Sequence, residues 1–310
     1  MTTELPSDLP SALPCASVSP LVSALTMAPA PVFTTVLTPV FTTVLAGVVL
    51  LMLSGCTGYF FQPKKEFAHD PVLDRFNVED VYFKTPDGLT LHGWLLRPRQ
   101  KSRGTILFLH GNYGNVSVQV NGILWLVNEG YTVFAFDYRG YGRSEGSPTV
   151  EGVHADAEAA LEYALSIQGD GKFFIFGQSL GGAIAVYTVA NFRHKERISA
   201  LAVESAFSSY RLIAREKAAE ILVTSLLKYP ISYLVNDDYS PVKWAAGVGP
   251  VPLLIMHGVK DPVVGTHHAA LIYEAAGQPK ELWITEPHGH VYSFADTSVR
   301  TRFLEFLSRF

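Results

Sequence analysis

Apolar and polar positions follow two different periods along most of this chain. Short apolar runs recur from Val78 onward: "VEDVYFKT", "LTLHGWLLRP", "GTILFLHG", "YTVFAFDYRG", "KFFIFGQS", "ISALAVESA", "VPLLIMHG" and "KELWITEP". Their length and their β-branched and aromatic content predict buried strands. Between them lie stretches such as "GVHADAEAALEYALSIQ", whose apolar residues recur at helical spacing. The first two strands flank the turn "PDG" and predict an antiparallel hairpin. The later alternation predicts an α/β fold: a mostly parallel central sheet with helices on both faces, over residues 72–310. Ligands of such sheets bind beyond the carboxyl ends of the strands.

The amino-terminal part reads differently. Residues 1–30 are rich in Pro, Ser, Ala and Thr, and only Glu4 and Asp8 are charged, which predicts a leader without a core of its own. The tandem octamers "PVFTTVLT" and "PVFTTVLA" then open an apolar run from 32 to 53, too short a repeat for a solenoid and long enough to span a bilayer. Its end, "LSGC" at 53–56, resembles the bacterial lipobox, in which the cysteine is lipidated and becomes the new amino terminus. On this reading 1–55 is a cleaved leader, Cys56 the lipidation site and 56–71 a tether. The protein would then be anchored on the outer side of a bacterial membrane, facing the periplasm or exterior. The alternative is an uncut single span in the inner membrane. No Lys or Arg precedes Lys64, so the leader lacks the usual basic start.

Composition narrows the chemistry. A net charge of -4 and the absence of a long Lys/Arg run argue against a nucleic-acid partner. The two cysteines, Cys15 and Cys56, both precede the domain, which leaves it neither a disulfide framework nor a thiolate metal site.

"FFIFGQSLGGAIAVYTVA" sets Gly177, Ser179 and Gly181 between a strand and a helix. Small residues on both sides permit a tight turn that projects a serine hydroxyl, and the helix start favours developing negative charge. A serine there needs a base, and the base an acid, in the chain order Ser, Asp, His. "LLIMHGVKDPVV" places Asp261 just past a strand end; Asp237 and Asp238 are rivals in a polar loop. "ELWITEPHGHVYSF" offers two histidines, of which His290 is the expected base and His288 its competitor. A metal pair would need a third convergent ligand, for which His267 and His268 are the crowded candidates. For the oxyanion, the expected donors are the N–H of Leu180 and, in "HGNYGN", the N–H of Asn112. That glycine turn lacks the Gly-Lys-Ser/Thr ending of a phosphate loop.

Together "FLHGNYGN", "FDYRGYGRSEGSPT", "GQSLGG", "HGVKD" and "GH" resemble the α/β-hydrolase superfamily, and within it the BEM46-like branch, over roughly 60–310. The resemblance implies Ser179 as nucleophile, Asp261 as acid, His290 as base and Leu180 and Asn112 as oxyanion donors, with no cofactor and no metal. It also implies a structural ion pair for Asp137 and Arg139. The expected activity is serine hydrolysis of ester or thioester bonds in small-molecule or acylated substrates. The alternatives are a serine peptidase of the aminopeptidase type and a non-catalytic binding protein of the same fold. Helical, aromatic-rich sequence at 207–248 interrupts the alternation and reads equally as a small cap over the pocket or as a packing helix followed by a connector.

Overall fold

The computed structural model describes residues 60–310 apart from 170, 287 and 288. The leader, the apolar run at 32–53, Cys56 and His288 therefore lie outside the described residues. Ten strands are described: β1 (Gln62–Pro63), β2 (Asn77–Lys84), β3 (Thr90–Arg97), β4 (Gly104–Leu109), β5 (Tyr113–Gly114), β6 (Thr132–Phe136), β7 (Lys172–Gln178), β8 (Ala200–Glu204), β9 (Leu253–Gly258) and β10 (Lys280–Thr285). Eight of them form one sheet in the order β10-β9-β8-β7-β4-β6-β3-β2. Six of these, from β10 to β6 in that order, run parallel, while β3 is antiparallel to both of its neighbours. All eight expected strands are present, and the β2–β3 hairpin turns where Gly88 takes a φ of 90°.

The sheet is buried on both faces, which is why its strands read as continuous apolar runs rather than alternating ones. Successive residues of β7 go to opposite sides. Phe173 and Ile175 join one core with Leu161 and Ile184, whereas Phe174 and Phe176 join the other with Phe303 and Phe306. Fully burying a side chain of this size contributes roughly 1.5–3 kcal/mol, so the two-sided sheet is the main source of stability. The longer helices are α1 (Val150–Ile167), α2 (Leu180–Asn191), α3 (Tyr210–Glu220), α4 (His267–Ala275) and α5 (Thr297–Ser308). Three begin where a side-chain oxygen accepts an otherwise orphan N–H: Thr149 from Gly152, Ser209 from Leu212 and Asp296 from Ser298.

Two features depart from the sequence expectation. From Phe60 onward the stretch expected to be a tether is packed on the domain. Phe60 and Phe61 are buried, and β1 pairs in parallel with β5. Asn115 Nδ2 donates to the carbonyls of Lys64 and Glu66 at 2.9 and 2.8 Å. Hydrogen bonds and buried phenylalanines fix this segment, whereas composition alone reads it as connector. Asp137 and Arg139, moreover, do not pair with each other. Arg139 forks onto Asp156 and reaches Asp87, whereas Asp137 accepts from the N–H of Val116 and lies 3.5 Å from ring nitrogens of His92 and His110. Both are structural, but each secures a different loop.

The segment 207–248 folds as α3 followed by single-turn helices at 222–225, 228–233 and 241–244. Ile213 and Ala214 of α3 reach the core, while Leu222 and Leu226 beyond it are 88% and 90% exposed. No helix among the described residues is long and apolar enough to cross a membrane.

Candidate active site

The turn between β7 and α2 is as tight as its glycines predict. Ser179 has φ 53° and ψ -118°, a conformation that costs about 1–3 kcal/mol and persists only where its surroundings enforce it. The surroundings are backbone. A Cβ on Gly181 would lie 2.1 Å from the carbonyl oxygen of Leu109, and one on Gly177 would lie 2.5 Å from that of Gly181. The N–H of Ser179 donates to the carbonyl of Glu204 at 2.8 Å, pinning the turn to β8.

Three expected residues, far apart in sequence, meet here. Ser179 Oγ lies 3.0 Å from His290 Nε2, and His290 Nδ1 lies 2.8 Å from Asp261 Oδ2. Asp261 follows β9, and its other oxygen accepts the N–H groups of Val263 and Val264 at 2.8 and 2.9 Å. Burial pushes its carboxyl pKa upward, but hydrogen bonds from His290 and the two N–H groups, with the nearby imidazole charge, outweigh that and hold it at about 2. An ionised Asp261 requires a proton on Nδ1, which leaves Nε2 free to accept from the serine. Val291, just after the histidine, takes a φ of 53°, and its N–H donates to Ser205 Oγ at 3.3 Å.

The expected oxyanion donors share one small cleft of about 60 Å³ with Ser179: Asn112 and Leu180 line it together with Phe60, Phe207 and Ile213. Leu180 is the first residue of α2, so its N–H has no intrahelical acceptor. His110 Nδ1 lies 2.7 Å from the carbonyl of Gly111. In a trans peptide the N–H of the next residue points the opposite way, so this bond orients the Asn112 N–H. The carbonyl of Asn112 in turn accepts from the N–H of Gln62 at 2.9 Å and from Tyr141 Oη at 2.7 Å. Phe60, Gln62 and Tyr141 were not singled out by sequence reasoning. A two-residue bridge carries no periodic signal, and a tyrosine in a glycine-rich loop reads only as aromatic.

The rival residues are engaged elsewhere. Asp237 accepts from Ser209 Oγ at 2.7 Å and from the N–H of Arg211 at 2.9 Å, which makes it a local brace for the start of α3. Glu216, His267 and His268 bring ligand atoms within 4.8 Å of one another, so the third convergent group is a carboxylate from α3. The tautomer opposes a metal there. His268 Nδ1 accepts the N–H of Ser208 at 3.0 Å, so Nε2 carries the proton and donates it to Glu216 at 2.9 Å. This arrangement ties α3 to α4. A larger cleft of about 870 Å³, lined by Arg75, Arg97 and Arg99 among others, adjoins the carboxyl end of the antiparallel β3 and hence the opposite end of the parallel strands.

A profile of the α/β-hydrolase fold matches residues 104–220. The Escherichia coli K12 protein YfhR is 32% identical over 244 residues, covering 77% of this chain and 81% of its own. The chain belongs to the α/β-hydrolase family. Its place is the BEM46-like branch of that family: Schizosaccharomyces pombe protein bem46 is 28% identical over 74% of this chain and 75% of its own. Among solved α/β-hydrolase folds, the Pyrococcus furiosus esterase Pf2001 superposes with a TM-score of 0.66 at 23% identity, covering 81% of this chain and 98% of that one.

Proposed function

We propose that this α/β-hydrolase cleaves ester or thioester bonds of acylated substrates through a covalent acyl-serine. The observation that carries the reading is the linked geometry of Ser179, His290 and Asp261, with hydrogen bonds of 3.0 and 2.8 Å at a strained strand-to-helix turn. Ser179 Oγ attacks the acyl carbonyl while His290 Nε2 takes its proton, and Asp261 stabilises the imidazolium through Nδ1–H. The oxyanion is held by the N–H groups of Leu180 and Asn112. His290 then returns the proton to the departing alcohol or thiol, and water, activated by the same imidazole, releases the acid. These steps need no metal and no organic cofactor.

Phe60, Phe207 and Ile213 give the cleft an apolar wall, which supports an acyl group as the portion bound beside Ser179. Labelling by a fluorophosphonate probe tests the proposal. The wild-type chain should label stoichiometrically and Ser179→Ala not at all; folded wild-type protein that fails to label would overturn it.

Cys56 is proposed as the lipidated first residue of the mature protein, on the strength of "LSGC" after an apolar run. Mass spectrometry of the mature amino terminus decides the matter, because a mature chain that begins before Cys56 rules out processing there.

A further inference from the structure

We infer that the exposed face of residues 221–234 is a membrane-docking surface that seats the mouth of the Ser179 cleft on an anionic lipid bilayer. Four observations converge on that occupant. The first is the density of exposed apolar groups. Ile221, Leu222, Leu226, Tyr229, Tyr233 and Leu234 all stand in solvent within one short stretch, and Leu222 and Leu226 are about as exposed as side chains can be. Extended apolar patches on a protein surface mark contacts with something else.

The second observation is the composition around the patch. Four basic residues, Arg211, Arg215, Lys217 and Lys228, accompany two acidic ones between 210 and 235, in a chain whose net charge is -4. Arg211 and Arg215 lie over the rings of Tyr233 and Tyr229, at 5.3 and 5.6 Å from their centroids. Leucines flanked by tyrosines and by long cations with apolar stems form the composition of an interfacial segment, which sinks about 5–10 Å into the headgroup boundary. Lys217 is paired with Glu220, and Asp237 and Asp238 follow in the next loop, which leaves Arg211, Arg215 and Lys228 as the cations that anionic headgroups would meet beside the patch.

The third is position. Lys217 and Ile213 of α3 line the cleft, so the chain that carries the patch runs on directly from its lining, and Val263, another lining residue, is also exposed. The fourth is the chain that leads into the site. Phe60, another lining residue, packs on Tyr210 with ring centroids 5.3 Å apart. Cys56 precedes it by four residues, which an extended chain spans in at most about 14 Å. A lipid on Cys56 and the patch would thus hold the same rim against the same surface.

The catalytic consequence, that acyl chains enter the cleft from the bilayer, rests on the function proposed above, and the fourth observation on the lipidation of Cys56 proposed there; the other three stand without either. It is read without catalysis by tryptophan quenching. Full-length Leu226→Trp is mixed with phosphatidylcholine–phosphatidylglycerol vesicles whose acyl chains are brominated, and Glu305→Trp, exposed on α5, serves as the control. The tryptophan introduced at 226 should be quenched severalfold more than the one at 305, and more weakly in purely zwitterionic vesicles. Equal quenching at the two positions overturns the inference. A Leu222→Glu/Leu226→Glu chain that changes oligomeric state in detergent overturns it as well, because the face would then pair with a second copy. The same double variant should keep its rate on a soluble short-chain ester and lose it severalfold on a vesicle-borne acyl ester; loss on both substrates contradicts docking.

Discussion

The backbone N–H of Gln62 donates to the carbonyl oxygen of Asn112 at 2.9 Å, fastening the start of the described chain to the loop beside Ser179. The bond fixes the peptide that follows Asn112, and Tyr141 Oη fixes it from the other side. Gln62→Pro removes the N–H that the Asn112 carbonyl accepts, together with the backbone contact of Gln62 to Tyr141. With one support of an oxyanion donor lost, kcat on p-nitrophenyl butyrate should fall about tenfold, with KM nearly unchanged. A change in KM alone would mean that the segment binds substrate instead of holding the loop.

Asp261→Asn keeps an oxygen for the N–H groups of Val263 and Val264 but turns an amide N–H toward His290 Nδ1. The imidazole must then accept at Nδ1 and carry its proton on Nε2, where it can no longer take one from Ser179. A loss on the order of 10³–10⁴ in kcat is expected, with an unchanged circular dichroism spectrum. Full activity in this variant would remove Asp261 from the mechanism.

Gly181→Ala sets a methyl group 2.1 Å from the carbonyl oxygen of Leu109, which cannot move without displacing β4. Overpacking of this kind costs about 3 kcal/mol, and the melting temperature should drop by several degrees. Gly169→Ala, where nothing lies within 4 Å, should melt with the wild type.

His154 supplies a pH dependence. Burial lowers its pKa from 6.5 to about 4, against the support of the Val150 carbonyl. As pH falls below 6.5 the unfolded chain takes up a proton that the folded chain refuses until about 4, so stability declines across that window and levels off below it. The loss amounts to about 3 kcal/mol. Burial depresses His257 and His268 in the same direction. Urea unfolding of His154→Phe at pH 7 and pH 4.5 should show a shallower decline than the wild type; an equal slope would mean that His154 is not the group titrating.

Most of the sheet was legible in the sequence because strands buried on both faces must be apolar throughout, and "KFFIFG" admits no other reading. Ser179, Asp261 and His290 were legible because each stands at a strand end with glycines or a proline beside it. The attachment of 60–66 was not, since it depends on two backbone bonds and on phenylalanines whose partners, Phe207 and Tyr210, lie far along the chain. The separate partners of Asp137 and Arg139 were hidden for the same reason, as Val116, Asp87 and Asp156 lie far from them along the chain. Glu216 sits on a helix like any solvated acid until α4 brings two histidines to it.

The crowding around Gly177, Gly181 and Gly182 divides the molecule's capacity for change. The strands and turn that hold Ser179 have no room for a larger side chain, so the reactive centre cannot be retuned from below. The walls of the cleft come from elsewhere, Phe60 from the amino-terminal segment, Phe207, Ile213 and Lys217 from α3 and the loop before it, and Val263 and Val264 from the loop after β9. Altering substrate choice is therefore a matter of redesigning three segments outside the sheet, and the sheet can be left alone.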